Sequence, residues 1–154
     1  PGELRGDFDL TRDLGLLYAN TECGIFGVLP QENRPEAVGE AIPVARRTEV
    51  RTGKAVILAN CKGNEVCAYE IEIEKLYGGS APTRNLLLRV TDPALIALTG
   101  GIVQGMSGSP IVQDGKLVGA VTHVLLDDPQ RGYGILAENM LSASGMTAQS
   151  AASA

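Results

Sequence analysis

Tryptophan is absent from this 154-residue chain, tyrosine and phenylalanine are few, and there is a single histidine, His123. One histidine with three cysteines (Cys23, Cys61 and Cys67) is too sparse a set for a structural zinc site, so no metal is expected. The odd cysteine count leaves at least one thiol unpaired. Cys61 and Cys67 flank a short turn, and they either bridge across it or stay as free buried thiols. No apolar run approaches the roughly 20 residues that a membrane-spanning helix needs, and no apolar leader follows Pro1. The chain therefore reads as a segment of a longer protein. Basic residues never cluster beyond Arg46-Arg47, and the formal charge is −5. Nucleic acids are recognised through a basic stripe, so that class of partner is excluded.

What the chain does have is glycine, 19 residues of it, spread between short apolar runs. Residues 1–22 are polar and mixed, and are expected to form an N-terminal arm or linker with at most a helical turn over 12–19. A globular domain is expected over 23–145, and an Ala/Ser-rich flexible tail over 146–154. Within the domain, 24–29 reads as a buried strand ended by Pro30. Residues 41–45 are broken by Pro43 and make an edge strand at best. Residues 54–60 and 65–74 read as a hairpin. The second of these alternates, with Tyr69, Ile71 and Ile73 on one face and Glu70, Glu72 and Glu74 on the other. That acidic face is either solvent-facing or a cation site. A strand is expected over 85–91, then a helix over 94–99 with Asp92 as cap, Pro93 at its first position and Gly100-Gly101 as its stop. Residues 110–113 and 116–124 form a second hairpin about Asp114-Gly115. A last strand over 131–135 and a helix over 136–144 complete the chain. Short strands punctuated by Gly and Pro indicate a mostly β antiparallel barrel or sandwich with short helices.

The chemistry centres on Gly105-Met106-Ser107-Gly108-Ser109-Pro110. A serine hydroxyl needs a base to take its proton and donors to hold the oxyanion that forms. Gly105 permits a turn that aims successive amides into one pocket, so the amides of Gly105 and Ser107 are the candidate oxyanion hole. The nucleophile elbow of α/β-hydrolases is Gly-x-Ser-x-Gly between a strand and a helix. Here Ser109 replaces its last glycine, and Pro110 with a β-hairpin follows, so the context is a chymotrypsin-like loop. With Asp114-Gly115 as a two-residue turn, the pairing extended backwards places Thr122 opposite Ser107. Thr122 and His123 are thus expected beside the nucleophile, as substrate-binding candidates, but alternation along a strand forbids both from facing it. His123 is a satisfied barrel histidine, a pocket wall or the base of a minimal dyad. Asp92 is either a helix cap or the carboxylate that orients a base. Asp127-Asp128-Pro129 reads as a solvated turn.

From about Gly24 to Leu141 the sequence resembles the stage IV sporulation protein B peptidases. The resemblance is carried by Ala41-Ile42-Pro43-Val44-Ala45, Thr48-Glu49-Val50, Tyr69 to Ile73, and Thr91-Asp92-Pro93. Its longest stretch runs from Thr99 to Ile111, through Asp114-Gly115-Lys116, to Gly119 to Val124, then Asp128-Pro129 and Gly132-Tyr133-Gly134. It implies the nucleophile half of a chymotrypsin-like serine peptidase with no cofactor, with Ser107 as nucleophile and Asp92 in the triad. It also implies a preceding PDZ domain and secretion from the forespore into the space between two membranes. The substrates implied are the protein itself and a membrane-bound regulator. The family's catalytic histidine lies in an upstream Gly-His segment that this sequence lacks, and His123 matches a different histidine. The upstream part of the peptidase is therefore an expected partner. The competing expectation is a non-catalytic β-module that binds peptides or pairs with another copy through its strand edges.

Overall fold

The computed structural model of the chain describes residues 6–7, 9–36, 39–78 and 81–145. The expected flexible tail, Gly79-Ser80 of the expected loop and Val38 lie outside the described residues. The first two strands, β1 (Leu16–Thr21) and β2 (Gly24–Val28), pair antiparallel as a separate two-stranded hairpin. Residues 16–19 are thus extended, not helical. The expected boundary at residue 22 falls in the turn of this hairpin. Leu16, Leu17, Ile25 and Val28 are all exposed. Residues 24–28 do form a strand, but not a buried one. The C-terminal helix (Ala137–Ala143) with its cap Ser144, and Pro82, touch the hairpin only near its turn, through Tyr18, Cys23 and Gly24, and most of both strands stays exposed.

The remaining strands are β3 (Gly53–Lys62), β4 (Glu65–Leu76), β5 (Leu86–Val90), β6 (Pro110–Gln113), β7 (Lys116–Leu125) and β8 (Asp128–Leu136). They close in the order β3-β4-β5-β8-β7-β6, every neighbour antiparallel. This is the chymotrypsin-like barrel the motif context called for. Two short helices accompany it, α1 (Pro93–Thr99) and α2 (Ala137–Ala143). The stretch 41–45 contributes only one isolated bridge, Val44 to Leu117, because Pro43 offers its carbonyl but no N–H.

Period-two alternation fills the barrel. Ile57 of β3, Ile71 and Ile73 of β4, Leu86 and Leu88 of β5, Ile111 of β6 and Val121 of β7 are fully buried. Each such side chain contributes about 2 kcal/mol of burial free energy. On the outer face the carboxylates are paired. Glu74 meets Arg89 and Arg131, and Glu72 meets Arg89. Glu72 and Glu74 of the acidic stripe on β4 are therefore compensated by arginines on β5 and β8, and no cluster that could hold a metal ion occurs among the described residues. Strands β7 and β8 cross so closely at Gly119 that a Cβ there would lie 1.8 Å from the Ile135 carbonyl oxygen. Only glycine fits. All three cysteines are free and half-buried. Burial, with the thiols of Cys61 and Cys67 beside it, pushes the Tyr69 phenol up to about 12.

One polar side chain is enclosed where the chain returns to the barrel. Asn85 is 1% exposed. Its Nδ2 donates to the Ala81 carbonyl at 2.9 Å, and its Oδ1 accepts from the Leu136 amide at 3.0 Å and from Asn139 Nδ2 at 2.9 Å. It ties the β4–β5 connection to the start of α2. Asn85→Leu leaves the buried Leu136 amide without its acceptor, while the Ala81 carbonyl and Asn139 are nearer to solvent. Chemical denaturation of the variant should show a loss of about 1–3 kcal/mol.

Candidate active site

Two consecutive tight turns build the loop that carries Ser107. The first is closed by the Met106 amide donating to the Val103 carbonyl at 3.1 Å, the second by the Ser109 amide donating to Met106 at 3.0 Å. Each has glycine at its third position with positive φ, 98° at Gly105 and 91° at Gly108. Glycine reaches that conformation without a steric penalty. Between the turns, Met106 drops its side chain into the barrel core, while Gly105, Ser107 and Gly108 stay exposed. The chain thus rises to the surface on both sides of one buried anchor. The Gly105 and Ser107 amides, which flank Met106, donate to no acceptor among the described residues. At the base of the loop, Gly101 lies against β8, where a Cβ would come within 2.3 Å of the Pro129 carbonyl oxygen. The Ile102 amide fastens the loop there with a 2.8 Å bond to the same oxygen.

The Ser107 hydroxyl donates to the Thr122 carbonyl at 3.1 Å. This is the neighbourhood expected from the hairpin about Asp114-Gly115, reached by a different route. The β6–β7 pairing slips by one residue after Val112, so that Ile111 faces Gly119 and Pro110 faces Ala120. A second irregularity follows in β7, where Val121 faces Gly134 but His123 faces Tyr133. Thr122 is the extra residue of this bulge. A bulge residue drops out of the ladder and re-aims its groups, and here its carbonyl is left for Ser107. The Thr122 side chain bonds instead to the Tyr133 carbonyl at 3.1 Å. His123 is exposed and donates no hydrogen bond among the described residues, so it is not a satisfied barrel histidine. It lines neither of the two cavities at the site.

Those cavities flank the loop. One, of about 540 Å³, lies between the loop residues Val103 to Ser107 and the end of β3, Leu58 to Cys61. The other, of about 360 Å³, is bounded by Ile102, Gln104, Val124, Leu126 and Pro129. They share Thr99, Val103 and Gln104. Residue patterns gave no hint of the β3 wall or of Leu126. The one available signal was Pro110, whose missing N–H ends a ladder.

Asp92 sits apart from both cavities, as the cap of α1. Its Oδ1 accepts from the Ala94 amide at 2.8 Å and the Leu95 amide at 3.2 Å, and its Oδ2 accepts from the Glu70 amide at 3.1 Å. The Glu70 amide, then those of Leu95 and Ala94, hold its carboxyl below the usual aspartate range against the opposing effect of burial. A lowered folded pKa stabilises the fold fully above the ordinary aspartate value near ~3.9 and loses that contribution as pH falls through the lowered value. Acid titration of stability should therefore be shallower for Asp92→Asn than for the parent below about pH 4.

The family model described as SpoIVB peptidase S55 matches residues 1–141. No curated protein matches the chain. Among solved structures, the active form of the Rv3671c protease from M. tuberculosis is similar at a TM-score of 0.56 and 21% identity. The match covers 86% of this chain and 59% of that one, so this chain spans less than two thirds of its relative's length. The inactive form of the same protease gives a TM-score of 0.52 at 20% identity, covering 85% of this chain and 67% of that one. At this identity the likeness is one of fold. With the family model spanning nearly the whole sequence, the chain belongs to the SpoIVB peptidase S55 family.

Proposed function

We propose that this chain is the nucleophile half of a serine endopeptidase that cuts protein substrates through an acyl-enzyme. The observation that carries the reading is the Ser107 loop, with an exposed hydroxyl and unpartnered amides on both sides of a buried Met106. Ser107 Oγ attacks the scissile carbonyl carbon, and its proton passes to a histidine supplied by the upstream part of the peptidase. The carbonyl oxygen becomes an oxyanion held by the Gly105 and Ser107 amides. Collapse breaks the C–N bond, and the same histidine protonates the departing amine. Water, deprotonated by that histidine, then releases the acyl group and restores Ser107. The backbone of β7 from Thr122 to Val124, beyond the end of β6, takes the acyl half as an added strand. The apolar cavity at Val124 and Leu126 takes the side chain before the cut. Leu126 is 93% exposed at the β7–β8 turn, where an apolar side chain has no folding role.

Family membership extends the proposal to sporulation signalling. The chain would follow a PDZ domain in a protein secreted from the forespore into the intermembrane space, and would cut itself and a membrane-bound regulator. Asp92 then orients the incoming histidine as well as capping α1. A carboxylate has about four acceptor sites, and backbone amides occupy three of them here.

A second reading is favoured by the exposed apolar hairpin β1–β2, since two-stranded hairpins are marginal alone. The chain then pairs with another copy through this hairpin and cuts nothing. A monomer by light scattering would count against it, and a fluorophosphonate that labels Ser107 would count against an inert module.

Three outcomes test the leading proposal in the intact protein with its upstream segment. Ser107→Ala should abolish proteolysis, and retained cleavage would end the proposal. Gly105→Ala keeps the amide but places a Cβ on a residue with φ 98°, so the turn must shift and the amide is re-aimed. Acylation should slow by up to about 10²-fold, the size of effect that an oxyanion donor carries. Asp92→Asn keeps an acceptor for the cap but removes the charge. The variant gives up one carboxylate oxygen as an acceptor and so is less stable at neutral pH. A fall in kcat of the order of 10³ or more, measured where the variant is still folded, marks the orienting role, whereas unchanged kcat leaves only the cap.

A further inference from the structure

We infer that the free edge of β3 from Leu58 to Cys61 is the docking strand for the leaving-group half of the substrate, an extended peptide. The inference rests on the endopeptidase reading above. Strand β3 pairs with β6 only at Val56–Val112 and Ile57–Ile111. The next position along would bring Leu58 to Pro110, which has no N–H to continue the ladder. From there β6 turns away into the Ser109 and Ser107 turns, and β3 runs on alone to Lys62 on that side. The gap between the two is the 540 Å³ cavity, with Leu58, Ala59, Asn60 and Cys61 along one wall and Gly105, Met106 and Ser107 along the other.

An unpaired strand edge is a liability that proteins normally cover, blunt or charge. Here it carries no proline and no charge between Leu58 and Cys61, and it faces the nucleophile. A peptide whose scissile carbonyl lies at the Gly105 and Ser107 amides has two ways out of the loop. The acyl half goes to β7 and the cavity at Val124 and Leu126. The other flank of the same loop leads to the β3 edge, so main-chain hydrogen bonds to that edge fix the residues after the cut. Such bonds are indifferent to side-chain identity, so the leaving-group side is read by length and backbone more than by sequence.

The test uses the intact protein as its Ser107→Ala variant and a mixture of octapeptides with Leu, Val or Phe at the fourth position. Hydrogen exchange should slow at least tenfold at amides within 58–61 as well as within 122–124. Methylating alternate backbone nitrogens after the fourth residue should weaken binding at least tenfold in one of the two alternations and much less in the other. Protection of 122–124 without any change at 58–61, or equal binding by all methylated forms, overturns this inference and leaves the endopeptidase reading in place. No protection at either strand, together with no fluorophosphonate labelling of Ser107 in the parent protein, ends both.

Discussion

The placement of Ser107 depends on the burial of Met106. The side chain of Met106 belongs to the barrel core, so the backbone must descend to it and climb out again within a few residues. Two turns with positive φ at their third positions achieve this, and Gly105 and Gly108 supply them. The first turn uses the Met106 amide internally, which leaves the amides on either side of it free. The exposed hydroxyl of Ser107 and the two open amides are thus by-products of one anchored side chain. Hydrophobic burial of about 2 kcal/mol secures a geometry that no hydrogen bond of the loop would hold alone.

Around that anchor, the groups that stabilise the fold are kept apart from those that offer chemistry. Asn85 satisfies its neighbours where the β4–β5 connection meets the start of α2, and the Glu72, Glu74, Arg89 and Arg131 ladder runs over the outer face. Such half-exposed pairs are each worth little, and their main effect is to compensate the charges of Glu72 and Glu74 on β4. Asp92 sits between the two sets. It caps α1, whose last residue Thr99 borders both cavities, so loss of the cap disturbs the site even if no base ever reaches the carboxylate.

Two irregularities give the site its openness. Pro110 ends the β3–β6 ladder and opens the larger cavity. The bulge at Thr122 interrupts the β7–β8 ladder and presents a carbonyl to Ser107. A perfectly regular barrel built from the same strands would seal both. The apolar hairpin β1–β2 lies outside the barrel with its leucines in solvent, which fits a chain that meets further protein on that side.

Much of this was legible before any coordinates. Alternation along β4, the Asp92-Pro93 start of α1, the Asp114-Gly115 hairpin and the glycines about Ser107 are local signals, each set by φ preference or by which face of a strand is apolar. They pointed to an antiparallel barrel or sandwich, and the family resemblance implied the chymotrypsin-like barrel that is found. Local signals failed where partners were remote. Residues 24–29 look like a core strand, yet Ile25 and Val28 are exposed, because burial belongs to the packing and not to the segment. His123 could be read as a barrel histidine, a pocket wall or a base, and it is exposed. A one-residue slip after Val112 and a bulge at Thr122 change which groups meet the loop. The sequence by itself determined the turns that carry Ser107, since glycine conformation and proline chemistry act within a few residues. Only the tertiary structure decided what faces Ser107: the carbonyl of Thr122 on one side and the bare edge of β3 on the other. Strand register and closure of the barrel are collective properties of six strands, and no single segment encodes them.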